Sequence, residues 1–316
     1  LQLTVAHARN ELTLIDLSQG KVASRFAMPM AGLPFSDELA VTADGSSVAA
    51  ATTGQDGQPA GILPWQAASR DWLPLLPFRA AGALAYAPDG TLLAAGDEDG
   101  LIAVWSVRTG RPVASLQGSR NGIRSLAFGR NCRRAPNMAD RETDAWLLAA
   151  GDEGGTITIW DLTRQLPRSY CRGNGYDVSA VVFSPDGVTL ACSGHGEVRI
   201  WDALTGQPLL NPTAYSDDLR GLAFSPNGRL LAVGGQQHER RSVAVWELTA
   251  GRGVRSLRGL ACPISRTCFS PDSRYIAALA HNWELGIWDL QTGFPLYVLE
   301  APRGIFADNA ALAFSP

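Results

Sequence analysis

Short apolar runs alternate with turn signals along the chain, and the stretch from 83 to 117 shows this most clearly. Four short apolar runs lie at 85–86, 92–95, 101–105 and 113–116. The segments between them carry Gly, and in one case Pro, where tight turns need a positive or a preset φ angle, at 87–90, 99–100 and 109–110. Runs of this length joined by short turns predict a four-stranded antiparallel meander.

This four-run unit repeats through the chain. Most copies end one strand-like run in a large apolar residue followed by an acid: Leu14-Ile15-Asp16, Ile159-Trp160-Asp161, Ile200-Trp201-Asp202, Val245-Trp246-Glu247 and Ile287-Trp288-Asp289, with weaker copies at Val104-Trp105-Ser106 and Pro64-Trp65-Gln66. Successive copies are 50, 40, 55, 41, 45 and 42 residues apart, and 43 residues separate the last from the first if the ends are joined. A wrap-around distance of about one period suits a closed ring of repeats.

With this period and these Trp-Asp pairs, the chain resembles the WD40-repeat family of β-propellers over its whole length. The resemblance implies an all-β fold, a seven-bladed β-propeller of four-stranded antiparallel blades, in a single domain spanning 1–316. The closing blade is expected to be shared: 1–34 supplies strands at 3–6, 11–16 and 22–26, and 306–316 supplies the innermost strand at 310–314. Strand pairing between the two ends then closes the ring and removes an open sheet edge.

The chain departs from the polar residues that are usual in this family. Many members carry a Gly-His pair whose His joins a hydrogen-bonded Asp–His–Ser/Thr–Trp network, whereas the matching pairs here are Gly118-Ser119, Gly173-Asn174 and Gly259-Leu260. We therefore expect those polar networks to be absent and the blades to cohere by packing of large aromatic side chains. The expected core positions of the repeat are Trp65, Trp105, Trp160, Trp201, Trp246 and Trp288.

Composition narrows the class of protein. The 316 residues carry a net charge of −3 and contain no run of 18 apolar residues, so neither nucleic acid nor a membrane is an expected partner. Five scattered cysteines indicate reduced thiols rather than a disulfide framework, which predicts a cytoplasmic location. One lysine against 26 arginines, with abundant alanine, suggests a bacterial gene rich in GC.

The ends of the sequence suggest a piece of something longer. The chain starts without Met and stops at Ser315-Pro316, within one more copy of the first turn. We therefore expect one domain of a larger multidomain protein, and a free-standing scaffold is the alternative.

In a propeller, the turns between second and third strands share a face with the links that enter each new blade. We call this the top face and the opposite one the bottom face. The predicted partner-binding residues of the top face are Arg124, Arg220, Arg266, Glu98, His195, Glu239 and His281. Two interpretations of the three arginines stay open. Either acids such as Glu98, Asp177, Asp217 or Asp218 neutralise them, or they bind an acidic or phosphorylated peptide, since guanidinium matches carboxylate and phosphate bidentately.

The long spacing of 55 residues has its source in an insert at 129–145. It replaces a short turn between a first and a second strand, so it should project from the bottom face. It includes Arg133 and Arg134. Most such inserts decorate a surface, and a loop that docks a partner is the alternative, because function concentrates in loops on rigid scaffolds.

The sequence lacks the motifs of common catalytic and cofactor sites. It has no HExxH or CxxC motif for zinc, no Gly-Lys-Ser/Thr phosphate loop and no GxSxG elbow. We therefore predict a non-catalytic protein–protein interaction module, a rigid scaffold or sensor domain without cofactor or metal. It would recognise a protein or peptide through its top-face loops and channel mouth. The alternatives are a structural subunit of a larger assembly and, less favoured, a propeller enzyme such as a hydrolase or lactonase.

Overall fold

The computed structural model describes residues 2–7, 11–16, 21–27, 35–52, 60–66, 69, 71–130, 146–172, 176–210, 219–237, 240–248, 252–282, 284–300 and 310–314. Within these ranges the chain forms 29 β-strands, and paired strands run antiparallel. The same ranges contain no helix with the length and apolar character needed to span a membrane.

The described strands fall into seven sheets, six of four strands and one of five. The terminal sheet contains β1 (Gln2–His7), β2 (Glu11–Asp16), β3 (Lys21–Ala27) and, from the other end of the chain, β29 (Ala310–Phe314). Sheet I contains β4 (Phe35–Val41), β5 (Ser47–Thr52), β6 (Gly61–Gln66), β7 (Asp71–Trp72) and β8 (Leu76–Pro77). Sheet II contains β9 (Ala83–Tyr86), β10 (Leu92–Gly96), β11 (Leu101–Ser106) and β12 (Pro112–Gln117).

The other four sheets follow in chain order. Sheet III contains β13 (Ile123–Arg130), β14 (Trp146–Asp152), β15 (Thr156–Asp161) and β16 (Leu166–Arg172), and sheet IV contains β17 (Ala180–Phe183), β18 (Thr189–Gly194), β19 (Glu197–Asp202) and β20 (Pro208–Leu210). Sheet V contains β21 (Gly221–Phe224), β22 (Leu230–Gln237), β23 (Arg240–Glu247) and β24 (Arg252–Arg258), and sheet VI contains β25 (Ile264–Phe269), β26 (Tyr275–Ala280), β27 (Glu284–Asp289) and β28 (Pro295–Glu300).

The two ends of the chain meet in the terminal sheet. β29 pairs with β1, with Leu3 opposite Phe314 and His7 opposite Ala310, so the strand order is β29-β1-β2-β3. Each other sheet is built from consecutive strands. The innermost strand of each sheet also contacts that of the next, in the order β4, β9, β13, β17, β21, β25, β29 and back to β4.

Sheet I departs from the four-strand pattern at its outer edge. β7 and β8 are two-residue strands, and both pair with β6. Between them Leu73 donates its backbone N–H to Pro64 O at 2.8 Å, and Pro74 follows directly. A proline has no backbone N–H to give to a ladder, so the outer strand is split in two. The repeat pattern does not predict this split.

A β-bulge accompanies the repeated Trp in sheets II to VI. The register between third and fourth strands shifts immediately before it, between Val104 and Trp105, Ile159 and Trp160, Ile200 and Trp201, Val245 and Trp246, and Ile287 and Trp288. A bulge bends its strand and increases the local twist. The terminal sheet has the same shift between Leu14 and Ile15, so the same bend recurs in the outer half of six sheets.

The core lies between the apolar faces of neighbouring sheets. The exposed fractions of the repeated tryptophans are 2% for Trp65, 3% for Trp105, 6% for Trp160, 4% for Trp201 and 1% for Trp288, while Trp246 is only partly buried. Trp201 of sheet IV packs with Leu147 and Ile159 of sheet III. Its indole N–H donates to Cys192 Sγ at 3.2 Å, and the indole of Trp288 donates to Arg258 O at 3.1 Å. The Trp positions thus join sheets to each other.

The acid that follows the Trp has a separate role in the next turn. Asp161 Oδ1 accepts the backbone N–H groups of Thr163 at 3.0 Å and Arg164 at 3.1 Å. Asp202 and Asp289 accept N–H groups two and three residues further on in the same way. Such Asp-centred turns fix a reversal of the chain, so the Trp-Asp pair couples core packing to turn formation.

Candidate functional site

The top face is built where second-to-third-strand turns meet the links between sheets. The backbone N–H of Ile123, at the end of the link from sheet II to sheet III, donates to Asp97 O at 2.9 Å. From the other side, the N–H of Glu153 donates to the O of Gly122 at 3.0 Å. The link is therefore fixed between the turn of sheet II and the turn of sheet III.

Two buried carboxylates hold these turns. Asp97 is 4% exposed, and its Oδ1 accepts the N–H groups of Asp99 at 3.0 Å and Leu101 at 2.8 Å. Asp152 is 3% exposed, and its Oδ1 accepts the N–H of Thr156 at 2.8 Å. Buried carboxylates are retained where they accept hydrogen bonds, and here they order the turn backbone.

The expectation that polar networks are absent needs correction at one place. The hydroxyl of Ser119, which occupies the position of the family's His, donates directly to Asp152 Oδ2. This bond connects the link after sheet II to the turn of sheet III. The sequence signal that could have revealed the buried acids is a repeated Gly-Asp-Glu, at Gly96-Asp97-Glu98 and Gly151-Asp152-Glu153, directly before the turns.

Arg124 is the most exposed of the three top-face arginines. It is the extra residue of a bulge in β13, since Ile123 pairs with Asp152 and Ser125 with Gly151. Its Nη2 lies 2.5 Å from Glu153 Oε1, and the two side chains are 50% and 42% exposed. The acid that neutralises Arg124 is thus Glu153, which was not among the acids expected from the sequence.

The three arginines are not equivalent in position. Arg220 directly precedes β21 and is half-buried, like Arg266 in β25. In β25 the residue next to Ile264 is Ser265, which is fully buried and donates its hydroxyl to Leu279 O at 3.1 Å. Arg266 stands one position further along, and a one-residue offset in a strand turns a side chain to the other face.

The remaining predicted residues lie apart from Arg124. His195, in the turn of sheet IV, is exposed and has a φ of 46°, and its ring stacks on Tyr176 with centroids 4.2 Å apart. His281 is half-buried, and its backbone N–H donates to Pro263 O at 3.0 Å. Glu98 is exposed on the turn that Asp97 holds. Glu239, Arg133 and Arg134 lie outside the described residues, as do residues 131–145 of the predicted insert. The insert was expected to begin at 129, but residues 129–130 belong to β13, where they pair with Leu147 and Trp146.

The described residues were compared with the requirements of a metal site and of a reactive thiol. None of their His, Cys, Asp and Glu side chains form a group of three or more able to hold a metal ion. Burial raises the pKa of the Cys171 thiol to about 12 and also raises the pKa of Cys192 and Cys268. These thiols stay protonated at neutral pH, a form that is a poor nucleophile.

Comparison with known proteins agrees with this architecture. The sequence profile of the nucleolar protein 10-like N-terminal domain, a β-propeller, matches residues 2–250. The chain belongs to this family of WD40-repeat β-propellers. Several relatives extend the similarity. Periodic tryptophan protein 2 of Arabidopsis thaliana is 26% identical over 221 residues, which cover 70% of this chain and 23% of that protein.

Two further relatives match shorter parts of this WD40 chain. The periodic tryptophan protein 2 homolog of Neurospora crassa is 32% identical over 111 residues, which cover 35% of this chain and 11% of that protein. Small ribosomal subunit protein RACK1 of Brassica napus is 35% identical over 79 residues, which cover 25% of this chain and 20% of that protein. The matches thus span at most about a quarter of these relatives. All three organisms are eukaryotes, so they give no support to a bacterial source.

Proposed function

We propose that the seven sheets are the blades of a closed WD40 propeller that serves as a non-catalytic scaffold for protein partners. Unbroken contacts between successive innermost strands and the pairing of β29 with β1 support the closed ring. The same proposal takes residues 1–316 as a single domain.

The observation that carries the proposed function is the ordered presentation of charge on the top face. Asp97 and Asp152 fix the turns from which Glu98 and Glu153 project, and Glu153 in turn pairs with Arg124. A surface that is ordered before a partner arrives loses little conformational entropy on binding. Such a surface suits recognition by complementary charge.

The proposed partner is a protein or peptide with an acidic or phosphorylated residue. In the proposed complex a ligand carboxylate or phosphate takes the place of Glu153 beside Arg124, because guanidinium binds both groups bidentately. One relative is by name a small ribosomal subunit protein, and the matching family is named for a nucleolar protein. By analogy we propose that this chain works within an assembly of several components.

Binding of labelled peptides tests the top-face site. The probes are a fluorescein-labelled glutamate-rich peptide and a phosphoserine peptide, and anisotropy gives the dissociation constants. The test variant replaces Arg124, Arg220 and Arg266 with Gln. Its charge-matched control replaces Arg111, Arg168 and Arg258, exposed residues in or directly before outer strands, with Gln. We expect at least about tenfold weaker binding for the test variant only. Equal affinities of the two variants would refute the site.

A structural subunit is the second candidate function, and exposed apolar residues on outer strands or their turns favour it. Phe294 is 73% exposed, Leu166 60% and Leu209 51%. Apolar residues of this size at exposed edges suit burial against another subunit. Sedimentation velocity at several concentrations separates the candidates, since a lone peptide reader stays monomeric. The intact mass of the native polypeptide shows whether 33.6 kDa is the whole protein, and imaging in its source cell tests the predicted cytoplasmic location.

A further inference from the structure

A cavity of about 810 Å³ lies at the bottom face, at the ends of the innermost strands of five sheets. Its walls come from the ends of β4, β9, β21, β25 and β29 and from the turns that follow several of them. Arg124, by contrast, stands near the beginning of its strand. The cavity is therefore separate from the top-face site, and its volume is within the range of about 300–1,000 Å³ that is typical of ligand pockets.

Apolar side chains from three sheets form much of the wall. Phe224 and Leu312 are partly exposed there, and Phe269 and Phe314 contribute while being only 8% and 3% exposed. The partly exposed groups gain burial when an apolar group enters the cavity. An occupant with an aliphatic part therefore fits this wall.

One ionised carboxylate on the wall has no cationic partner among the described residues. Asp44 Oδ1 accepts the hydroxyl of Thr42 at 2.6 Å and the backbone N–H of Ser46 at 2.9 Å. Burial acts to raise the pKa of Asp44, and these hydrogen bonds outweigh it, so the pKa is below its ordinary value. Asp89, also on the wall, is already paired with Arg130 at 3.1 Å. Asp44 is thus the carboxylate on this wall whose negative charge can pair with a cationic ligand.

Tyr86 also lines the cavity, but its hydroxyl is buried away from the cavity's solvent and has no hydrogen-bond partner within the described part of the chain. The group that selects a charged occupant is therefore the Asp44 carboxylate, which lies beside the apolar wall.

We propose that this cavity is a second docking site, which takes a lysine or arginine side chain from a basic, partly apolar peptide segment of a protein partner. The aliphatic stem lies along Phe224 and Leu312, and the cationic end reaches the Asp44 carboxylate. Long basic side chains bury their stems on apolar surface while their charge stays at a polar rim. The site goes beyond the proposed function, because it prefers the opposite charge and lies at the opposite end of the strands.

The structure offers a matched control for Asp44. Asp186 occupies the same kind of turn in sheet IV, where Ser184 donates its hydroxyl to Asp186 Oδ1 at 2.5 Å and Gly187 has a φ of 67°, close to the 70° of Gly45. Asp186 is not among the residues that line the cavity. Asp44→Asn and Asp186→Asn therefore remove the same charge from the same local structure.

The probe is a fluorescein-labelled peptide of alternating leucine and arginine, and fluorescence anisotropy measures its affinity. Two further peptides carry glutamine or glutamate in place of arginine. We expect the wild-type protein to prefer the arginine peptide and Asp44→Asn to bind it about tenfold more weakly, as for loss of a charge-assisted hydrogen bond. Asp186→Asn should stay within about twofold of wild type by the same scale.

Further variants keep the result interpretable. Ala223→Leu adds bulk to the cavity wall and should also weaken binding, with an unchanged melting temperature as the check on folding. Arg168→Gln, at an exposed position of β16 outside both proposed sites, should leave the arginine peptide bound as before. The top-face site is tested with acidic and phosphorylated peptides, so its failure does not affect this test. Equal weakening in both Asn variants, equal binding of the arginine and glutamine peptides, or no binding of the arginine peptide would each overturn the proposal.

Discussion

Replacing Trp201 with Ala is the sharpest test of how neighbouring sheets are held together. Trp201 is 4% exposed, so nearly all of its side chain, about 150–250 Å², is withdrawn from water. At about 25 cal/mol per Å² this burial corresponds to about 4–6 kcal/mol. Alanine keeps part of that area, and measured losses for such changes give about 3–5 kcal/mol in the free energy of unfolding.

Thermal unfolding followed by circular dichroism measures the effect. At about 2–4 °C per kcal/mol, the melting temperature should fall by roughly 6–20 °C. Trp201→Phe keeps one packed aromatic ring but loses the five-membered part of the indole with its N–H bond to Cys192 Sγ, so we expect a smaller loss of about 1–2 kcal/mol. Trp246→Ala is the matched control, because Trp246 holds the same repeat position in sheet V but is only partly buried.

The order of the three melting temperatures tests whether burial of the Trp side chain sets stability. We expect Trp201→Ala to be the least stable, followed by Trp246→Ala and then Trp201→Phe. A melting temperature of Trp201→Ala at or above that of Trp246→Ala would show that burial at this position does not set stability. The reasoning about inter-sheet packing would then be wrong.

Three other predictions rest on local contacts. The Ser270 hydroxyl donates to Asp272 and lowers the pKa of that carboxyl, so ionised Asp272 stabilises the fold above about pH 4 and this stability is lost as pH falls. Asp272→Asn should therefore flatten the acid side of a curve of unfolding free energy against pH, and an unchanged curve would contradict this. Gly286→Ala places a Cβ 2.1 Å from the Trp288 ring and should cost about 1–3 kcal/mol in urea unfolding, whereas Gly253→Ala, with nothing within 4 Å, should be nearly neutral. Cys171, buried and with a pKa of about 12, should react with a thiol reagent only after denaturation; labelling of Cys171 in the native protein, located by peptide mass spectrometry, would refute this.

The sequence was a good guide to the repeat because each repeat is local. Runs at 101–105 and 113–116 became strands, and Gly90 and Gly100 adopted the positive φ angles that their turns require. Strand length, alternation and turn residues are set by neighbours in the chain, which is why they can be read without the fold. The same holds for the short, direct turn after Trp201, where the acid acts two and three residues away.

Less of the candidate site could be predicted from the sequence. The sequence placed Arg124 at a top-face position but did not identify Glu153 as its partner, because that contact depends on how the link after sheet II lies against the turn of sheet III. It also treated Arg266 as equivalent to Arg124. A bulge in each strand sets which face a side chain takes, and bulges depend on pairing with the neighbouring strand.

The sequence by itself determined the all-β character, the period, the Trp positions and the turns, since each follows from short-range patterns of apolar and special-φ residues. The resemblance to WD40 propellers also predicted the sheet shared by the two ends of the chain, where β29 pairs with β1. Only the tertiary structure decided the Ser119–Asp152 bond, the Arg124–Glu153 pair and the cavity that Asp44 and Phe224 line. These features join residues that are far apart in the chain, and such contacts arise only when the sheets pack together.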